Sequence, residues 1–280
     1  MSESSDKIFK RMERPLVSII TVTYNAKDFL EETFRSVWSQ TYPHIEYIVV
    51  DGASTDGTRE LIEANRDKIA RWVSEPDKGL YDAMNKGIRM AKGELIGIVN
   101  ASDYFEPDTV ETVVQAFMEH PGIGIFHGNV NMLNDDGSFF KLKKPRSNDL
   151  SAGMCYYHPT CFVARSVYGQ LGGYDLAFRY SADYDFLLRC QVADIPFLYI
   201  DKVLSNFRRG GVSTTSKQTG MQEARDILVK NGFPTDYADK MLRLWEHKNR
   251  KDLRLQKAYN IMKKILPASW LNQLASVVRG

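Results

Sequence analysis

Ile45-Glu46-Tyr47-Ile48-Val49-Val50-Asp51-Gly52-Ala53-Ser54-Thr55-Asp56-Gly57-Thr58 decides the fold. A β-branched apolar run stops at an acid. A short Gly/Ser/Thr/Asp segment follows, and a helix opens at Thr58-Arg59-Glu60-Leu61. Unbroken apolar character means that both faces of the strand are covered, as in a parallel sheet with helices on each side. In such sheets ligands bind just beyond the carboxyl ends of the strands, where Asp51 stands. Asp56 is open to two roles, a functional one and that of a turn and helix cap.

Outward from that stretch the alternation repeats. Leu16–Thr23 reads as a buried strand ending in Thr23-Tyr24-Asn25, and Lys27–Ser39 has helical spacing of Phe29, Leu30, Phe34, Val37 and Trp38. Trp72-Val73-Ser74 is a short strand that runs into Glu75-Pro76-Asp77-Lys78-Gly79, and Leu80–Ala91 is helical. Leu95–Val99 is a strand ending in Asn100-Ala101-Ser102-Asp103, with a helix starting at Pro107. Alternating β and α elements predict a layered α/β domain with polar groups gathered along one sheet edge. No G-x-G-x-x-G follows the first strand, which argues against a dinucleotide-binding hydride-transfer enzyme.

After Gly122 the rhythm changes. Ile123–His127 and Asn129–Leu133 are strand-like, and Asn134-Asp135-Asp136-Gly137 is a turn leading to Ser138–Leu142, so a hairpin is expected. Tyr156–Val163 reads as a strand, Gly172–Asp175 as a turn, and Ala182–Arg189 as a helix with Asp183 in its first turn, where the dipole favours an anion. Phe197–Ile200 and Val203–Phe207 read as a short strand pair. Arg208-Arg209-Gly210-Gly211-Val212-Ser213-Thr214-Thr215 reads as a mobile loop whose guanidinium groups could fold over a diphosphate. From Lys217 the pattern is helical, giving a polar tail at 1–14, a main domain at 15–215 and a helical extension at 216–280.

Composition sets the remaining bounds. A net charge of +2 in 280 residues gives no global reason to expect nucleic acid. Three cysteines, an odd number without metal spacing, fit a reducing, cytoplasmic compartment, and Met1–Arg14 lacks the apolar core of a secretory signal. The extension interleaves Arg243, Lys248, Arg250, Lys251, Arg254, Lys257, Lys263 and Lys264 with Leu242, Leu244, Trp245, Leu253, Leu255, Tyr259, Ile261, Ile265, Leu266, Trp270 and Leu271. Such a basic amphipathic helix can lie on an anionic membrane surface as a peripheral contact. It can equally pack on the parent domain or on a partner chain, so the oligomeric state is open.

Taken in order, Pro15–Asn25, Val50–Thr58, Asn100–Asp103 and Ala182–Asp185 closely resemble the family 2 glycosyltransferases, over about Pro15 to Ser213. Glu75–Gly87 and Gly210–Ser213 look like a subgroup that decorates bacterial surface polysaccharides. The resemblance implies a GT-A, Rossmann-like fold with a mostly parallel mixed sheet, and an inverting transferase using a nucleotide-sugar donor, a UDP-sugar. Its acceptor would be a glycan or a lipid-linked oligosaccharide at the inner face of the cell membrane.

Carried over residue by residue, the resemblance has Thr23, Tyr24 and Asn25 lining the base and ribose pocket, with Asp51 accepting from a uracil-like imide. Asp77, Lys78 and Gly79 close that pocket, with Asn85 and Asn100 also on the donor side. Asp103 would hold Mg²⁺ or Mn²⁺ against the diphosphate. Asp183 would be the general base and Asp185 a supporting acid behind it. Beside the resemblance, His158 is open to a metal contact, a bond to acceptor or diphosphate, or a structural role, and Arg208 and Arg209 read as contacts to the diphosphate. One departure stands out: many relatives carry a further Asp where this chain has Ser102, so Asp103 is the one carboxylate left in that motif. Rival readings are a sugar-nucleotide pyrophosphorylase, which would want a Gly-rich basic loop after the first strand, and a non-catalytic nucleotide-sugar-binding subunit, against which both Asp103 and Asp183 argue.

Overall fold

The computed structural model describes residues 14–145, 147–209 and 217–265, the side chains of 217, 251–253 and 255–265 excepted. The expected βα alternation is present: β1 (Val17–Thr23), α1 (Lys27–Trp38), β2 (Ile45–Asp51), α2 (Thr58–Ala64), β3 (Arg71–Ser74), α3 (Leu80–Met90) and β4 (Leu95–Ile98). β1 is buried along its whole length, and β2 from Glu46 onward, as continuous apolar runs between two helical layers must be. β1 pairs in parallel with β2 from Val17↔Ile45 to Thr23↔Asp51, β2 with β3 from Ile48↔Arg71 to Asp51↔Ser74, and β1 with β4 from Val17↔Leu95 to Ile20↔Ile98. Thr23, Asp51 and Ser74 therefore stand in one row across the carboxyl edge. The N–H of Ala101 donates to Val22 O at 3.1 Å, which brings the chain after β4 to the same edge. Phe34, Val49, Leu95, Phe126 and Phe162 belong to the core. Helix α3 lies close on β1 because Gly87 leaves room: a Cβ there would meet Ile20 Cγ2 at 2.5 Å.

The second half extends the same sheet with mixed polarity. Its elements are β5 (Tyr104–Phe105), α4 (Thr109–Glu119), β6 (Ile125–Leu133), β7 (Phe139–Lys143), β8 (Phe162–Ala164), α5 (Arg165–Leu171), α6 (Ala182–Val192) and β9 (Phe197–Arg208). The strand order is β3-β2-β1-β4-β8-β6-β9-β5, with β7 on β6. β8 is antiparallel to β4 and β6, and β9 is parallel to β6. The expected hairpin is there, its turn closed by Gly137 N–H to Asn134 O at 3.0 Å.

Four sequence expectations are corrected here. Residues 197–207 form one strand, because β9 follows β6 from Ile125↔Phe197 to Leu133↔Arg208 through two register shifts. β6 is likewise continuous across Gly128. The strand expected from Tyr156 begins only at Phe162, after a 3₁₀ turn at His158–Thr160 in which Pro159 occupies the first turn. The helix expected at Pro107 starts at Thr109, whose hydroxyl is tied to Leu204 O at 2.6 Å.

The chain divides into two compact units, 1–211 and 212–280. Within the second, α7 (Lys217–Lys230) and α8 (Thr235–Ile265) are joined by Arg225 Nε to Asp239 at 2.8 Å. No described helix is long and apolar enough to cross a membrane. The polar tail before Arg14, the Gly210–Thr215 part of the expected loop and Leu266, Trp270 and Leu271 lie outside the described residues, as do the side chains of Lys251, Leu253, Leu255, Lys257, Tyr259, Ile261, Lys263, Lys264 and Ile265.

Candidate active site

The side expected to take the donor is built on the turns after β1, β2 and β3. Asp51 has no solvent exposure; its Oδ2 accepts from Ser54 N–H at 3.0 Å and Ser74 Oγ at 2.6 Å, and its Oδ1 accepts from the Ser54 hydroxyl. The carboxylate thus locks the β2–α2 turn and β3 together, and a nucleobase N–H would share an oxygen with one of these donors. Next to it, the Gly52 Cα faces Asp77 and Tyr24: a Cβ there would lie 2.6 Å from Asp77 Oδ2 and 3.3 Å from Tyr24 Cδ2. Tyr24 is 66% exposed, an aromatic face at the rim. Asp77 Oδ1 accepts from Gly79 N–H at 2.7 Å and Lys78 N–H donates to Asp82 Oδ2 at 3.0 Å, so these bonds hold the Asp77-Lys78-Gly79 turn that leads into α3, with Lys78 exposed. Thr23 Oγ1 is buried without a hydrogen-bond partner among the described residues.

Two residues expected at the donor are engaged in bonds within the protein. Asn25, in the left-handed region at φ 47°, uses its Oδ1 to accept from Thr55 N–H at 2.9 Å and its N–H to reach Ser54 Oγ at 2.8 Å. It zips two turns together, a conformation that Asn tolerates better than most residues. Asn85 is occupied with Tyr174, its Nδ2 donating to the carbonyl and its Oδ1 accepting from the N–H, both at 2.8 Å.

Past β4, the N–H of Asp103 donates to Asn100 O at 2.9 Å, and Ser102 carries φ 124°, a conformation rare outside glycine. Asp103 is 2% exposed, and burial pushes its carboxyl up to about 7, against the opposing effects of Arg208 and Asn100. Its Oδ1 accepts from Arg208 N–H at 3.0 Å, which ties β4 to the end of β9. Asn100 Oδ1 is buried without a partner among the described residues. Among those residues no cluster of three or more His, Cys, Asp or Glu could hold a metal. Asp103 and Asn100 Oδ1 supply hard oxygen donors, which fit Mg²⁺ or Mn²⁺ bound mostly through diphosphate and water rather than a protein cage.

Arg208 is engaged within the protein as well. Its guanidinium donates to Glu32 Oε2 at 2.6 Å and Asp135 O at 3.1 Å and lies 5.2 Å over Phe29, so it braces α1 against the β6–β7 turn. Arg209 stacks at 4.4 Å on Phe140 with its side chain exposed, which leaves it the better placed of the two to meet an anion.

On the side expected to meet the acceptor, Asp183 Oδ1 accepts from Tyr81 OH and from Tyr184 N–H, both at 2.9 Å, while Oδ2 has no hydrogen-bond partner among the described residues. One oxygen is loaded and the other open. His158 Nε2 is 2.8 Å from Tyr174 OH; burial pulls its imidazole down, with the Asp183 charge opposing. Asp185 has no solvent exposure and receives Arg189 Nε at 2.8 Å, while Arg189 holds the carbonyls of Leu171 and Gly173 at 2.6 Å each. Asp185 is thus an anchor, through Arg189, for the turn before Tyr174.

Helix α3 joins the two sides. Asp77 shapes the turn that leads into it, and Tyr81 in its first turn touches Asp183. Sequence reasoning missed Ser54, Ser74, Tyr81, Tyr174 and Arg189. Only Arg189 carried a local signal, four residues after Asp185 on a helix.

The sequence profile of the family described as Glycosyl transferase family 2 matches residues 18–168. An uncharacterized glycosyltransferase of Mycobacterium tuberculosis is 35% identical over 208 residues, covering 71% of this chain and 78% of that protein. Staphylococcus aureus TarS 1-349 in complex with UDP-GlcNAc superposes with a TM-score of 0.64 at 17% identity, over 82% of this chain and 71% of that one. The mannosyltransferase PcManGT of Pyrobaculum calidifontis, in complex with GDP-Man and Mn²⁺, gives 0.63 at 20% identity over 96% and 81%. At these identities the two structures speak for a shared GT-A fold, the one expected from the resemblance.

Proposed function

The chain belongs to glycosyl transferase family 2, and from that premise we propose an inverting sugar transfer from a UDP-sugar to a hydroxyl group. The observation that carries it is the first turn of α3, with Asp77 beside Gly52 and Tyr24 at one end and Tyr81 on Asp183 at the other. A donor bound across the strand ends then has its sugar next to the open Asp183 Oδ2.

In the reaction the acceptor oxygen attacks the anomeric carbon from the face opposite the diphosphate. The bond from that carbon to the diphosphate oxygen breaks with its electron pair going to the leaving group, and the acceptor proton passes to Asp183 Oδ2. A single displacement inverts the centre and needs no enzyme nucleophile. Tyr24 offers a stacking face for the base, and Thr23 Oγ1 a hydroxyl without other partners in the described residues. The exposed Arg209, just after β9, offers a cation to offset the leaving charge. Asn100 Oδ1 and Asp103 would hold Mg²⁺ or Mn²⁺, which when bound neutralises part of the diphosphate charge. TarS binding UDP-GlcNAc supports a uridine donor in this fold. The acceptor is a glycan or lipid-linked oligosaccharide of surface-polysaccharide synthesis, met at the cytoplasmic face of the membrane.

The test is Asp183→Asn, followed by UDP release from a panel of UDP-sugars. Turnover should fall about 10²–10⁴-fold, the usual weight of general-base catalysis, with donor binding kept. Undiminished turnover would reject Asp183 as the base.

A further inference from the structure

We propose that Tyr81 is a positioning residue that selects which oxygen of Asp183 acts as the base; this rests on the reading of Asp183 above. The two residues are 102 positions apart and come from different elements, α3 and α6. Tyr81 is 7% exposed, and its ring packs against Tyr174 with centroids 5.4 Å apart. Its hydroxyl lies 2.9 Å from Asp183 Oδ1 and 3.2 Å from Tyr180 O. One proton serves one acceptor at a time, and the shorter, charge-assisted bond to the carboxylate is the stronger. With Tyr184 N–H on the same atom, Oδ1 carries two donors and Oδ2 none among the described residues.

That asymmetry has a chemical consequence. A carboxylate oxygen accepting two hydrogen bonds is a weaker proton acceptor than its unoccupied twin. A carboxylate held from one side also cannot rotate to exchange them. Tyr81 thereby directs the acceptor proton to Oδ2 and keeps the plane of the carboxylate fixed. The hydroxyl can do this because α3 is itself held by the Asn85 bonds to Tyr174 and by the close contact of Gly87 with Ile20. A displaced base lowers kcat rather than substrate affinity.

Tyr81→Phe keeps the ring and removes only the hydroxyl. The expected result is a kcat about tenfold to hundredfold lower, donor and acceptor KM within about twofold of wild type, and an unchanged UDP-induced shift in melting temperature. In the double variant with Asp183→Asn the Tyr81→Phe loss should vanish, since the hydroxyl would act only through the carboxylate. Wild-type kcat in Tyr81→Phe, or a loss confined to KM, overturns the proposal while leaving Asp183 in place. A Tyr81→Phe loss that persists in full in the double variant also overturns it. Full turnover in Asp183→Asn removes the base and this proposal with it.

Discussion

The side-chain amide of Asn85 grips both backbone groups of Tyr174, donating to its carbonyl and accepting from its N–H at 2.8 Å each. This two-point clamp crosses 89 residues and fixes the turn before α6 onto the middle of α3. Gly173 is part of the fit, since a Cβ there would meet Asn85 Oδ1 at 2.2 Å. Tyr174 then reaches His158, and Tyr81 four residues before Asn85 reaches Asp183, so one helix organises the acid–base side.

Asn85→Ala should leave the Tyr174 N–H and carbonyl without their partners. The expected cost is about 2–3 kcal/mol of unfolding free energy, seen as a lower urea midpoint. kcat should fall as well, with UDP binding retained, because the donor rim at Asp77 is held by its own bond to Gly79.

Gly52→Ala should act on the donor side alone. The added methyl would meet Asp77 Oδ2 at 2.6 Å and crowd Tyr24, so the rim must open. UDP binding is expected to weaken about tenfold by calorimetry, with the fold intact by circular dichroism. Equal affinity would place the base elsewhere.

Metal and nucleotide should bind interdependently. The described residues offer Asp103 and Asn100 Oδ1 and no cage of three ligands. Mn²⁺ alone is therefore expected to leave the melting temperature unchanged, whereas UDP should raise it by mass action, and more with Mn²⁺ than with EDTA. A rise with Mn²⁺ alone would show a protein-held site at odds with this arrangement.

Acid should destabilise the fold through His127. Its ring is 1% exposed, 4.1 Å from Tyr156, with Nδ1 unpartnered among the described residues, and burial pushes its pKa down to about 4. The folded pKa lies below the unfolded value of about 6.5, so the unfolded chain binds the extra proton first. Stability is then complete above about pH 6.5 and declines as pH falls toward 4, by about 3 kcal/mol in all. Urea midpoints between pH 7.5 and 4.5 should slope accordingly, and His127→Leu should flatten that slope.

Much of this was legible in the chain itself. Val/Ile-rich runs at 17–22 and 45–50 marked doubly covered strands, and the polar residues closing each run marked the carboxyl edge. Asp103 and Asp183 stood out through the order of motifs, Asp51 through the acid that ends an apolar strand. These signals are local, with periods of two or 3.6 residues and abrupt changes of polarity, and local signals survive without coordinates.

The tertiary structure alone decided what those residues touch. Arg208 read as an exposed fork for a diphosphate, yet Glu32, 176 positions away, takes its guanidinium. Asn25 and Asn85 read as ligand contacts, and the structure has both of them holding turns together. Tyr81 gave no sign of its link to Asp183. A hydrogen bond between residues a hundred positions apart depends on the strand crossovers that bring them to one edge, and on helix α3 seating against β1 at Gly87. Residue type determined the capacity to bond; the packing of α3 determined the partner.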